Sequence, residues 1–286
     1  MLSFAAYFDS PTLQVVETRH GPMLCFRNDT GVSEYLRTFG AYGEVETELY
    51  SSLLSDGECF VDVGAHIGSI SAVLRRTRSD LRIIAFEPQA AFFALASINL
   101  SQSLDRVPGA GGVVYPFAVG RQAGIVQVPE IDIRAKGNYG SISLSLESPR
   151  TLPAPQVGLG AFLASRAPAP RLVKIDVEGM ETDVIDGLSE VIHDRLILSI
   201  EADRPAVVQH WLPKLLDQGF DCYLVILSNV SRSNPAYRPG HPLAQVRSPQ
   251  ILAFKTRSGG GFHEIYANYR LAAYADYVER AGARLG

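Results

Sequence analysis

Phe60-Val61-Asp62-Val63-Gly64-Ala65-His66-Ile67-Gly68, read together with Ala85-Phe86-Glu87-Pro88, decides how this chain folds. An apolar run of strand type enters a turn bounded by glycines, and a helical stretch follows. A second apolar run then ends in a single acid. In an open α/β sheet this layout builds a nucleoside pocket. The first turn lets backbone approach the ligand, and the acid ending the next strand can accept from both hydroxyls of a ribose.

The spacing narrows the ligand. A dinucleotide fingerprint reads G-x-G-x-x-G, with close glycines against a pyrophosphate. Here Gly64 and Gly68 enclose Ala65, His66 and Ile67, so the middle glycine is missing. A pyrophosphate on the helix start is poorly served. An adenosine without phosphates, as in S-adenosylmethionine, fits better. A glycine pair alone marks only a turn; Glu87, roughly 20 residues on, makes it a pocket. Two alternatives stand beside this reading: an NAD-dependent oxidoreductase, which the missing glycine disfavours, and a non-catalytic Rossmann-like binding module.

The chain has 286 residues, 47% hydrophobic and 20% charged, with a formal net charge of −4. That suits one large α/β domain or two small ones with a sizeable core. No long Lys/Arg run provides the basic footprint of a nucleic-acid binder. Arg75, Arg76 and Arg78 cluster at the end of a predicted helix, where solvated cations suit the dipole. Cys25, Cys59 and Cys222 are odd in number and far apart. They show neither zinc spacing nor a disulfide framework, which suits a reducing cytoplasm. No apolar run reaches about 18 residues and the start lacks a basic n-region, so neither a membrane span nor a secretion signal is expected.

Working outward, residues 1–55 read as a lead-in. It has a hairpin over Leu13–Glu17 and Met23–Phe26, an irregular or helical Asp29–Phe39, and a helix over Glu44–Leu54. Residues 56–257 read as the core, with strands alternating with helices, the pattern of a doubly wound, mostly parallel sheet. Its third strand is expected over Val113–Val119. An insert over 120–168, punctuated by Pro149, Pro153, Pro155 and Pro168, has the length of a lid or substrate loop. A helix is expected from Met180 to His193, and the segments Asp221–Leu227 and Gln250–Lys255 could pair antiparallel at the sheet edge. Residues 258–286 read as a helical tail carrying Tyr266, Tyr269, Tyr274 and Tyr277. Such tyrosines pack a helix on its own domain or, in a homo-oligomer, on a second copy.

Lys174-Ile175-Asp176-Val177-Glu178-Gly179-Met180-Glu181 is the second informative stretch. A strand delivers Asp176 to the carboxyl edge of the sheet, where open α/β sheets bind ligands. Gly179 permits a close turn into the next helix. Glu181 suits that helix's N-terminus.

Together with Gly43-Glu44-Val45-Glu46 and Gly137-Asn138-Tyr139-Gly140-Ser141, these motifs resemble the FkbM-type S-adenosylmethionine-dependent methyltransferases. The resemblance covers roughly residues 40–205. It implies a class I methyltransferase fold with a seven-stranded sheet, and O-methylation of a small molecule, a sugar or a polyketide-like natural product. His66 stands where the family more often has Asn, and Gly120 where an acid is common. The expected cofactor-binding residues are Asp62, Gly64, Ala65, His66, Gly68, Glu87, Pro88 and Ala118. Asp176, Glu178 and Glu201 are the expected catalytic residues, since a neutral acceptor hydroxyl must lose a proton. Asp176 and Glu201, on neighbouring strands in the usual order, could instead hold Mg²⁺.

Overall fold

A tight hairpin opens the described chain: β1 (Leu13–Thr18) pairs antiparallel with β2 (Gly21–Phe26). The computed structural model describes residues 8–101, 111–141, 150–164, 166 and 169–255. The expected tyrosine-bearing tail lies outside them, as do Pro149 and Pro168. The helices α1 (Val32–Phe39) and α2 (Glu44–Leu53) complete the lead-in. The alternating core follows: β3 (Cys59–Val63), α3 (Ser69–Thr77), β4 (Arg82–Phe86), α4 (Ala90–Ser101) and β5 (Gly111–Tyr115). Next come β6 (Ala118–Gly120), β7 (Gly124–Pro129), β8 (Thr151–Gly158), α5 (Leu159–Ala164) and β9 (Pro170–Ile175). The last described elements are α6 (Glu181–Asp186), β10 (Ile197–Glu201), α7 (Pro205–Asp217), β11 (Asp221–Ser228), α8 (Pro242–Gln245) and β12 (Arg247–Phe254).

The seven-stranded sheet has the order β11-β12-β10-β9-β3-β4-β5. β5, β4, β3, β9 and β10 run parallel, and β12 is antiparallel to both its neighbours. This is the class I methyltransferase arrangement. Every residue of β3 is buried, as a central strand covered on both faces requires. Side chains alternate between two cores. Val61, Val63, Val173, Ile175, Leu198 and Ile200 face α6 and α7, whereas Phe60, Ile83, Leu172 and Ile197 face α2 and α3. The chain turns from one half of the sheet to the other between β3 and β9, so the crevice belongs at their carboxyl ends.

The hairpin packs on this frame through Met23, Leu24, Cys25 and Phe26, which meet Ile67, Phe92 and Leu95. Asn99 locks the joint. Its side-chain oxygen accepts from Leu24 N–H at 2.8 Å, and its amide donates to the carbonyls of Leu24 and Ile67 at 2.9 and 2.8 Å. The arginine cluster does not lie in solvent, and its middle member serves this joint. Arg75 is 2% exposed, and Arg76 donates to the carbonyls of His20 and Pro22.

The structure departs from the expected elements at three places. The strand expected over Val113–Val119 breaks at Pro116, which has no N–H to continue a ladder. Its first part stays in the main sheet as β5. Its second part, β6, joins β8 and β7 in a separate three-stranded sheet. The stretch around Pro153 and Pro155 is strand and not loop. β6 opposes only Gln156–Gly158 of β8, so the prolines have an open edge where a missing donor breaks no bond. The helix expected to reach His193 ends at Asp186. A β-carbon on Gly187 would collide with the Gly120 carbonyl, so the chain turns where it presses on β6. Among the described residues no helix is long and apolar enough to cross a membrane.

Candidate active site

The turn after β3 is built by close backbone packing. Gly64 and Ala65 both donate to the Phe86 carbonyl at 3.0 Å, and Asp176 N–H donates to the Val63 carbonyl at 3.0 Å. Gly64 has φ +83°, and a side chain there would overlap the Asp176 carbonyl. Only glycine meets both conditions. His66 follows with φ +52°, unusual for a residue with a side chain. That twist points its N–H at Glu87, whose Oε2 accepts it at 2.9 Å. Glu87 Oε1 accepts from Gln89 N–H at 2.9 Å.

Glu87 therefore has one backbone donor on each oxygen, and each oxygen keeps further lone-pair capacity. The side chain is 6% exposed. Burial pushes its carboxyl up to about 8, against the pull of the two backbone bonds. The His66 ring stacks near Phe92, with centroids 4.5 Å apart. Neither ring nitrogen has a hydrogen-bond partner among the described residues, and burial holds the ring neutral by lowering it to about 4.

These groups line one cavity of about 400 Å³. Of the residues expected in the site, Asp62, Gly64, Ala65, His66, Glu87, Pro88, Ala118, Asp176, Glu178 and Glu201 reach its wall. Gly68 does not. It caps the start of α3, and a β-carbon on it would come within 3.0 Å of Ala96 Cα. Its missing side chain lets α3 and α4 pack closely.

A charged cluster occupies the floor. Lys174 Nζ lies 3.0 Å from Asp176 Oδ2 and 3.4 Å from Asp62 Oδ1. Ser71 Oγ donates to Asp62 Oδ2 at 2.6 Å. Burial alone would lower the lysine, but Asp176, Asp62 and Glu46 outweigh it and hold Lys174 charged well above its usual range. Burial would raise Asp176, yet the Lys174 ammonium beside it brings its carboxyl below the ordinary value. Glu201 goes the other way. Burial and then the Asp176 carboxylate raise it, so it stays protonated at neutral pH. Glu178, at φ +55°, is paired with Arg204, and burial lifts it to about 7.

Oxygens of Asp176, Glu178 and Glu201 lie within 4.8 Å of one another. Lys174 already holds Asp176 and Arg204 already holds Glu178. Both carboxylates are thus already charge-compensated by side-chain cations, and the expected Mg²⁺ alternative gains no support.

The roof joins distant segments. Asp29 is fully buried, and its Oδ1 accepts from Gly31 N–H at 2.9 Å and Tyr139 N–H at 3.2 Å. Its Oδ2 accepts from Ser33 N–H at 2.7 Å. Thr30 N–H donates to the Gly137 carbonyl at 2.8 Å. The lead-in and the insert are thus stitched over the crevice, with Tyr139 packed edge-on to Phe26 and Phe92.

Glu46 and Tyr42 on the cavity wall had no role in the sequence reading. Tyr50 OH donates to Glu46 Oε1 at 2.6 Å, and burial pushes Glu46 up to about 7. The available signal was the tyrosine one helical turn after a glutamate, on a stripe beside the apolar one.

Residues 62–222 match the methyltransferase FkbM domain. The chain belongs to the FkbM methyltransferase family. This FkbM-family chain is 28% identical over 142 residues to the hexuronic acid methyltransferase AglP of Haloferax volcanii, covering 49% of this chain and 54% of that protein. It therefore spans about half the length of that curated relative. Among solved structures it is similar to a methyltransferase FkbM from Methylobacillus flagellatus (18% identity, TM-score 0.47, 70% of this chain and 44% of that one). It is also similar to a SAM-dependent O-methyltransferase from Thermotoga maritima (15% identity, TM-score 0.47, 86% and 78%).

Proposed function

We propose that this chain transfers a methyl group from S-adenosylmethionine to a hydroxyl oxygen of a small molecule, a sugar or another natural product. The observation that carries the reading is Glu87. Its two oxygens are held by backbone and aimed into a nucleoside-sized cavity of a chain from a methyltransferase family. A sugar acceptor is supported by the relative, whose name states a hexuronic acid.

In this reading Glu87 accepts both ribose hydroxyls, and Gly64 and Ala65 bring backbone against the methionine part. Pro88 and Ala118 wall the adenine side. Asp62 orients the turn through Ser71 and Lys174. His66 offers its unpartnered ring nitrogens to the ligand. When bound, the cofactor supplies an electrophilic methyl on a sulfonium. Asp176 takes the proton from the acceptor hydroxyl, and Lys174 keeps Asp176 ionised for that task. Protonated Glu201 adds no second negative charge beside it. Glu178, fixed by Arg204, orients the acceptor. The roof covers part of the crevice, and shielding the reacting atoms from water favours a step in which charge disappears. Unpaired thiols at Cys25, Cys59 and Cys222 suit the cytoplasm.

Calorimetry with S-adenosylhomocysteine tests the cofactor, and labelled S-adenosylmethionine with a panel of hexoses and phenolic natural products tests the transfer. Saturable binding and a methyl mass gain on an acceptor oxygen are expected. A folded protein that does not bind S-adenosylhomocysteine overturns the proposal.

A further inference from the structure

The parallel strands bring mainly acids to the crevice: Glu87 after β4, Asp176 after β9 and Glu201 at the end of β10. β12 runs the opposite way, so its first residue arrives at the same edge. That residue is Arg247, which lines the cavity and is exposed. Lys174 also lines it, but is buried between Asp62 and Asp176. Arg247 makes no ion pair among the described residues.

Its guanidinium is nevertheless fixed. Nη1 donates to the carbonyls of Ala244 and Val246 at 2.9 and 2.8 Å, with Ser228 Oγ at 3.4 Å. The shelf beneath it is packed. Ala244 is buried with Tyr35, Phe39 and Val230, and Tyr35 OH donates to the Leu243 carbonyl at 2.9 Å. With Nη1 engaged, the Nε–H and Nη2–H edge remains for a ligand. That edge presents two parallel donors, the geometry that matches a carboxylate. Leu243 and Val246 flank it with apolar surface suited to the C–H face of a sugar ring.

We infer that Arg247 is the acceptor anchor, and that the acceptor is an acidic sugar whose carboxylate pairs with its free edge while a hydroxyl turns inward to Asp176. The inference rests on the methyltransferase reading and adds the acceptor's charge. An acid elsewhere in the crevice would face Asp176, Glu178 and Asp203, so a single cation at the rim also sets the orientation.

The test measures binding of D-glucuronate, D-glucose and glucose 6-phosphate to the protein saturated with S-adenosylhomocysteine, for wild type, Arg247→Gln and Arg247→Ala. Glutamine can keep a carbonyl contact and so guards against a collapsed shelf. Glucuronate should bind at least about tenfold tighter than glucose to wild type, the lower end for a charge-assisted pair, and should lose that margin in both variants. S-adenosylhomocysteine affinity should be the same in all three proteins. Equal binding of glucose and glucuronate, a margin that survives both variants, or no sugar binding at all overturns the inference. Tighter binding of glucose 6-phosphate than of glucuronate overturns the carboxylate assignment. Failure of the folded wild type to bind S-adenosylhomocysteine defeats the methyltransferase reading instead.

Discussion

The carbonyl oxygen of Asp176 occupies the space that a side chain on Gly64 would need. The proposed cofactor turn and the proposed catalytic strand end are therefore packed backbone to backbone. Moving one moves the other.

Gly64→Ala should cost several kcal/mol, because it combines a backbone collision with a positive φ. Gly57→Ala is the control. Gly57 also has positive φ (+77°) but meets nothing within 4 Å, so only the conformational penalty, about 1 kcal/mol, should appear. Urea denaturation of both variants measures the difference. Equal losses would mean that the strand end yields freely.

Glu87 should make cofactor binding proton-linked. Its carboxyl sits at about 8 in the free protein, and accepting two ribose hydroxyls favours the ionised form. Affinity should therefore rise as pH increases towards 8 and level off above it. Calorimetry near pH 6.5 in buffers of different ionisation heat should show release of about one proton. Glu87→Gln should abolish the release, and Glu87→Ala should weaken S-adenosylhomocysteine by about 1.5–3 kcal/mol.

The free protein should lose stability as pH rises. Glu46 and Glu178 sit at about 7 and Glu87 at about 8 when folded, above the ordinary value of 4.5. Raised carboxyls favour folding fully below the unfolded value, and this advantage disappears as pH climbs through the folded one. Melting temperature should fall between about pH 5 and 8. A flat profile would mean that water already reaches these groups.

Lys174→Met should destabilise by about 3 kcal/mol, since it strands the buried Asp62 carboxylate, and the half-buried Asp176 beside it, without a counter-ion. The deficit should shrink at low pH, where Asp176, no longer held down by the ammonium, can protonate. Denaturation at pH 4.5 and 7.5 checks both statements.

Asp176→Asn should lower the methyl-transfer rate by about 10²–10⁴-fold while S-adenosylhomocysteine affinity changes little. Initial rates with a responsive acceptor, set beside calorimetry, separate the two effects. Wild-type turnover would remove Asp176 as the base.

Residues whose places are fixed locally were readable from the sequence. Glu87, Asp176 and Glu201 each end an apolar run, and a strand end points to the crevice wherever the strand lies. The role of Lys174 was not legible, because its partner Asp62 lies on another strand. The register that sets Asp62 opposite Lys174 is a tertiary fact. Two opposite charges, each inside an apolar strand run, were the available signal. Pro116 also gave a legible warning of the break between β5 and β6. Arg247 gave none. Its position follows from β12 inserting between β10 and β11 with reversed direction, which no local pattern encodes.

The Asp29 stitch bears on how the protein can be trimmed. The recognisable family stretch begins at Asp62, yet the ceiling over the crevice is suspended from a residue well upstream of it. A fragment cut to that stretch would retain the floor and lose the keystone. A piece that keeps this ceiling must start before residue 29.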